Sequence, residues 1–245
     1  MLIDVHCHLD MIKNPEEAIS QAKKAGVGII VSNGVKFESN RKILHFASQF
    51  KEVKAALGIY PTDALKMSDS GIDKEIEFIK KNNEKIVAIG EVGLDLKESS
   101  DMKNQEENFL KFINLAKELG RPIIVHSRNA EERCIQILEN EMIEKVIMHC
   151  FCGTSLLVRR IVENSWFLSI PTSVCYKEWF QQVIRETPIE NLLCETDSPY
   201  LHPERKGENS PANVLLVYKK IAEIKNLDLR IIEKKIENNY NSLFS

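Results

Sequence analysis

Eight short apolar runs, each followed by a longer amphipathic stretch, recur from one end of this 245-residue chain to the other. The spacing predicts strands over 2–8, 27–32, 53–58, 85–91, 122–126, 144–149, 166–170 and 191–196. Near-continuous Val, Ile and Leu in such runs is the signature of strands buried on both faces, as in a parallel sheet. Helical periodicity falls between them at 15–25, 38–49, 72–82, 104–119, 130–140, 155–163, 177–186 and 212–225, and a further helix is predicted over 228–241. Eight strand–helix units favour a closed α/β architecture, a single (β/α)₈ TIM-type barrel with an extra C-terminal helix, over an open sheet. No internal boundary interrupts the pattern, so residues 1–245 are expected to form one barrel domain.

Local punctuation agrees with these limits. Asn14-Pro15-Glu16-Glu17 supplies a helix N-cap, Pro in the first helical position and acids in the first turn. Gly26 and Gly120 fit C-terminal stops. The segment Glu204–Pro211 is the clearest polar loop; a mobile rim and an ordinary connection are both compatible with its composition.

Composition removes several function classes. Lys and Arg total 33 against 36 Asp and Glu, a net charge of −3, so no broad basic field exists for coating nucleic acid. No apolar stretch is long enough to span a bilayer, and no signal peptide precedes the first strand. The six cysteines do not form the framework of a small secreted domain, which predicts a cytoplasmic protein with reduced thiols. Cys150 and Cys152 are spaced Cys-x-Cys rather than as a structural zinc pair and are expected to serve as small apolar residues.

Possible metal ligands close the apolar runs. His6 and His8 end the first, Glu91 the fourth, His126 the fifth, His149 the sixth, and Asp197 follows the eighth. In a strand, His6 and His8 share a face and Cys7 takes the other, so two imidazoles could grip one divalent ion. Glu91 lies in Gly90-Glu91-Val92-Gly93, where a carboxylate between glycines could bridge two metals or simply form a salt-bridged turn. His126 and His149, each taken alone, also read as structural residues. Four of the six histidines at predicted strand ends do not. In a parallel barrel those ends meet at one mouth. An Asp at position 197 could hold metal and accept a proton from water whose pKa the metal has lowered from about 15.7 toward about 7. Glu195, deeper on the same face, is expected to support a ligand. His45 reads as a surface or packing residue and His202 is ambiguous.

The motifs Asp4-Val5-His6-Cys7-His8-Leu9-Asp10, Gly58-Ile59-Tyr60-Pro61, Gly90-Glu91-Val92-Gly93-Leu94-Asp95, Pro122 to Arg128, His149-Cys150-Phe151-Cys152-Gly153 and Glu195 to Leu201, with Asn238 to Phe244 at the end, run nearly the whole chain. In this order they resemble the TatD family of metal-dependent hydrolases, among the amidohydrolase-like barrels. The resemblance implies two divalent ions (Zn, Mn or Mg), with His6, His8, Glu91 and Asp197 on one and Glu91, His126 and His149 on the other. It implies DNase activity of the 3′→5′ exonuclease type, with DNA or an oligonucleotide as substrate, Glu91 and Asp197 as catalytic residues and Asp197 as ligand and general base.

Tyr60, Arg128 and Asp95 are candidate substrate contacts, Arg128 being equally suited to an ion pair between helices. Tyr60 stands where many family members have His, and Asn129 where Asp is frequent; Asn129 is expected to cap the following helix. The same metal centre could instead hydrolyse an ester of aminoacyl-tRNA, a small amide or a lactone. A barrel that binds metal or a partner without catalysis is the third reading.

Overall fold

The computed structural model describes residues 1–244. Eight parallel strands follow one another in chain order around a barrel: β1 (Leu2–Cys7), β2 (Val27–Asn33), β3 (Val53–Leu57), β4 (Ile86–Asp95), β5 (Ile123–Arg128), β6 (Val146–His149), β7 (Phe167–Ile170) and β8 (Leu192–Cys194). Helices alternate with them as α1 (Pro15–Lys24), α2 (Phe37–Gln49), α3 (Pro61–Ala64), α4 (Asp69–Lys81), α5 (Met102–Leu119), α6 (Glu131–Asn140), α7 (Ser155–Glu163), α8 (Glu178–Glu186) and α9 (Val214–Lys225). The extra C-terminal helix is α10 (Leu229–Phe244). Strand residues such as Ile3, Val5, Ile30, Ile89, Ile124 and Ile147 are fully buried, as a sheet covered on both faces requires. No helix of the described residues is long and apolar enough to cross a membrane.

The helix ends follow their local chemistry. Pro15 opens α1, with Asn14 at the N-cap position, and Gly120 ends α5 in the left-handed conformation at φ 64°. Helix α4 begins earlier than its apolar periodicity suggests because the Ser68 hydroxyl accepts the Gly71 N–H. Asn129 departs from expectation: Ala130 occupies the N-cap of α6, and Asn129 instead takes a left-handed turn at φ 54°. Asn tolerates that conformation better than most residues, so its use here is backbone geometry rather than capping. Cys150 is half-buried against the core as expected, whereas Cys152 is exposed.

Strand β4 runs on to Asp95, pairing Val92 with Val125 and Asp95 with Arg128. Glu91 is therefore inside a strand, not at its end. Gly93 makes this stretch possible: its φ is 142° and an added Cβ would lie 2.0 Å from the His126 carbonyl oxygen. Gly58 does the same from the end of β3, where a Cβ would lie 2.7 Å from the Glu91 carbonyl oxygen. Between them the two glycines let neighbouring backbone close in around Glu91.

The seam between β8 and β1 is built differently from the rest. An isolated bridge joins Cys7 to Ser198, and the backbone N–H groups of His8 and Asp197 donate to the carbonyls of Ser198 and His6. Below this, side chains replace the ladder. The Tyr218 hydroxyl of α9 accepts the Ile3 N–H and donates to the Ile3 carbonyl, and the buried Asp4 carboxylate accepts from the Thr196 N–H and hydroxyl. Asn239 of α10 donates to the carbonyls of Ile189 and Leu192. Backbone groups that a ladder would satisfy thus find side-chain partners.

Candidate metal centre

Strand alternation delivers His6 and His8 to the same side of β1, with their Nε2 atoms 3.2 Å apart. Glu91 comes from within β4, and Asp197 from the left-handed turn beyond β8, at φ 55°. Glu91 Oε2 lies 3.3 Å from His6 Nε2 and 3.4 Å from His8 Nε2, while Asp197 Oδ1 lies 3.6 and 3.5 Å from the same two atoms. Donors bound tetrahedrally at about 2.0–2.1 Å from one ion lie about 3.3–3.4 Å from each other. Five separations among these four donors lie between 3.2 and 3.6 Å, and His6, His8 and Asp197 together converge closely enough to hold one divalent cation, with Glu91 Oε2 beside the two imidazoles.

The other Glu91 oxygen faces a second group. Oε1 lies 2.8 Å from His126 Nδ1 and 3.3 Å from His149 Nε2. His126 Nδ1 is buried and, although close to Glu91, lacks the alignment of a hydrogen bond. An imidazole nitrogen left without a hydrogen bond in a buried site suits a lone pair directed at a metal. His6, His8 and Asp197, and separately Glu91, His126 and His149, each converge closely enough to hold an ion.

Other groups orient these side chains. His8 Nδ1 is 2.9 Å from the Asn33 carbonyl, which fixes Nδ1 as the donor and turns Nε2 inward. His149 Nδ1 lies 3.3 Å from Glu195, which in turn accepts from the Ser169 hydroxyl. Glu195 thus stands behind a ligand candidate, where the sequence places it. His6 Nε2 and His149 Nε2 come from rings stacked 3.8 Å apart.

Asp95 is the clearest departure from the sequence reading. It is fully buried and is not on the cavity wall. Its Oδ1 accepts the N–H groups of Lys97 and Glu98, and its Oδ2 receives the Tyr60 hydroxyl at 2.6 Å and lies 3.2 Å from His126 Nε2. Asp95 thus lies behind His126 and Tyr60, with both oxygens engaged by protein groups. Tyr60 and Arg128 do line the cavity. The Arg128 side chain is exposed and makes no ion pair among the described residues, so the bridge between helices is not formed.

Electrostatics in the cluster are dominated by its crowding. Burial raises the carboxyl of Glu91, but His149, His6 and His126 overcome it and hold the group well below the usual carboxylate range. Asp197 is likewise held down against burial, chiefly by its hydrogen bond with His8. Burial opposes a charge on His8, yet Asp197 and Glu91 push it up to about 9. His6 moves the other way, lowered by burial and by the neighbouring His149. A divalent cation at this place would displace the imidazole protons. The Tyr60 hydroxyl is raised by burial and by Asp95, so it stays a donor.

The donors open onto a cavity of about 470 Å³, whose rim includes Met11, Lys66, Tyr200 and Leu201. Sequence reasoning passed over Asn33, Ser169 and Tyr200. Asn33 and Ser169 each lie at or near a strand end, the same signal that marked the ligands.

A family model described as "TatD related DNase" matches residues 3–245. The chain is 36% identical over 240 residues to "Uncharacterized metal-dependent hydrolase MJ1582" of Methanocaldococcus jannaschii, covering 97% of this chain and 94% of that protein. It is 30% identical over 253 residues to "Deoxyribonuclease TATDN3" of Homo sapiens, covering 97% and 92%. The crystal structure of YJJV, a TatD homolog from Escherichia coli, superposes with a TM-score of 0.94 at 26% identity, over 99% of this chain and 97% of that one.

Proposed function

We propose that this chain, which belongs to the TatD family of metal-dependent hydrolases, is a deoxyribonuclease that releases nucleotides from DNA ends, of the 3′→5′ exonuclease type, using two divalent ions. The observation that carries the reading is the division of Glu91, with Oε2 turned to His6 and His8 and Oε1 to His126 and His149. A carboxylate shared in this way suits two cations a few ångströms apart, the arrangement that serves in-line displacement at phosphorus. The printed name of the human relative adds support for the substrate.

When bound, the ions would polarise a phosphoryl oxygen and lower the pKa of water at the site. Glu91 ties the two groups of donors together. Asp197, held ionised, points its carboxylate into the cavity and accepts the proton of the attacking water on the oxygen turned away from His6 and His8. Arg128 reaches the same cavity with no carboxylate to satisfy it, and its guanidinium can donate two parallel hydrogen bonds to a phosphate. Tyr60 keeps its proton, steadies Asp95 and lines the cavity.

Nucleotide release from single-stranded DNA should require Mg²⁺, Mn²⁺ or Zn²⁺ and stop on chelation. Esters, amides and lactones assayed beside it under the same ions separate the readings. Turnover of those compounds with no release from DNA or RNA overturns the nuclease assignment.

A further inference from the structure

Adjoining the metal cavity is a second groove of about 660 Å³, formed by Tyr176 and Lys177 after β7 and by the loop 199–207 after β8. Lys177, Arg205 and Lys206 line it, and no carboxylate does. All three are exposed and none has an ion-pair partner among the described residues. By contrast, Arg133 grips Glu106 and Arg160 grips Glu139. Arg205 is not loose, since its guanidinium stacks 4.4 Å above the Tyr176 ring. The Lys177 ammonium lies 5.7 Å from the Phe180 ring. Tyr200, 54% exposed, and Leu201 line both this groove and the metal cavity, so the two spaces share a wall.

Three unpaired cations in one concavity repel each other and concentrate anions. A small ester or amide seated at the metal donors would leave this groove unused; a phosphodiester chain would not. An exposed tyrosine offers a stacking face only to a base freed from a duplex, and a track of cations beside aromatics is how single strands are held without sequence preference. We propose that the groove is a non-catalytic subsite for single-stranded nucleic acid, holding the phosphates next to the scissile bond on Lys177, Arg205 and Lys206 and a base on Tyr200. The inference rests on the phosphodiesterase reading and adds to it a place for the rest of the substrate.

Two measurements on the full-length, metal-loaded chain test it. Binding of a fluorescent phosphorothioate dodecamer is titrated across a salt series, and nucleotide release is compared between a dinucleotide and an unmodified dodecamer. Each single-strand phosphate that a cation neutralises adds about 0.7 to the slope of log affinity against log salt. The variant Lys177→Ala/Arg205→Ala/Lys206→Ala should therefore flatten that slope by about 2. The advantage of the dodecamer over the dinucleotide in kcat/KM should shrink by about tenfold or more. Lys177→Ala and Lys206→Ala singly, which keep the Arg205–Tyr176 stack, should each remove about 0.7 from the slope. An unchanged slope and length advantage in the triple variant overturns the groove while leaving the nuclease reading in place. Preference for duplex over single strand overturns it as well. Salt-sensitive binding that disappears in the triple variant, with no release under any metal, retains the groove and removes the nuclease reading.

Discussion

The two halves of the donor cluster share Glu91 and differ in closure. On one side His6, His8 and Asp197 converge closely enough to hold an ion, with Glu91 Oε2 3.3 and 3.4 Å from the two imidazoles. On the other, Glu91, His126 and His149 supply three. With Glu91 added, the first set would fill a tetrahedral ion, whereas a three-donor set would leave a coordination position for water or substrate. The open side includes His126, whose Nε2 lies 3.1 Å from the Tyr60 hydroxyl. In the proposed two-ion reading, the difference gives the second half the open position, while Asp197 of the first half faces the same cavity as the proton acceptor.

The largest test of that division is Glu91→Ala, which removes a donor from both halves. Metal content should fall well below one ion per chain, and nucleotide release should drop by about 10³-fold or more. His6→Ala and His126→Ala should each spare the opposite half, leaving about one ion per chain by elemental analysis. If Glu91→Ala loses no more metal than His126→Ala, the halves are not joined through this carboxylate.

Smaller effects sharpen the contrast. Glu195→Gln and Asp95→Asn remove the carboxylates behind His149 and His126, both tied to the three-donor half. Each should weaken metal affinity about 10- to 100-fold, with the loss confined to one ion in a competition titration. Equal loss at both ions would show that these residues support the fold around the cluster rather than one ligand each. Tyr60→Phe deletes one hydrogen bond to Asp95 and should cost about 1 kcal/mol, a several-fold fall in activity with metal content unchanged.

Much of this was legible in the chain because buried parallel strands leave two strong marks, an apolar run and a polar residue where the run stops. His6, His8, His126, His149 and Asp197 carry those marks, and the strand period alone pairs His6 with His8. What periodicity cannot show is depth. Asp95 lies four residues beyond Glu91 on a strand that keeps going, and only the register with β5 turns it behind His126. Asn129 looked like a cap because caps are recognised by residue type, whereas the backbone there needed a left-handed turn. The loop after β8 read only as polar; its cations gain meaning from Tyr176, which arrives from the preceding strand–helix unit.

The seam between β8 and β1 has a consequence for how the molecule is made. Asp4 meets Thr196 across 192 residues of chain, and Ile3 meets Tyr218 across 215. Pairings of such sequence separation form late. The first strand pairs with β2, close behind it in the chain, but His6 and His8 meet Asp197 only where the barrel closes after β8. That group of donors is therefore expected to assemble with barrel closure rather than with the first strands.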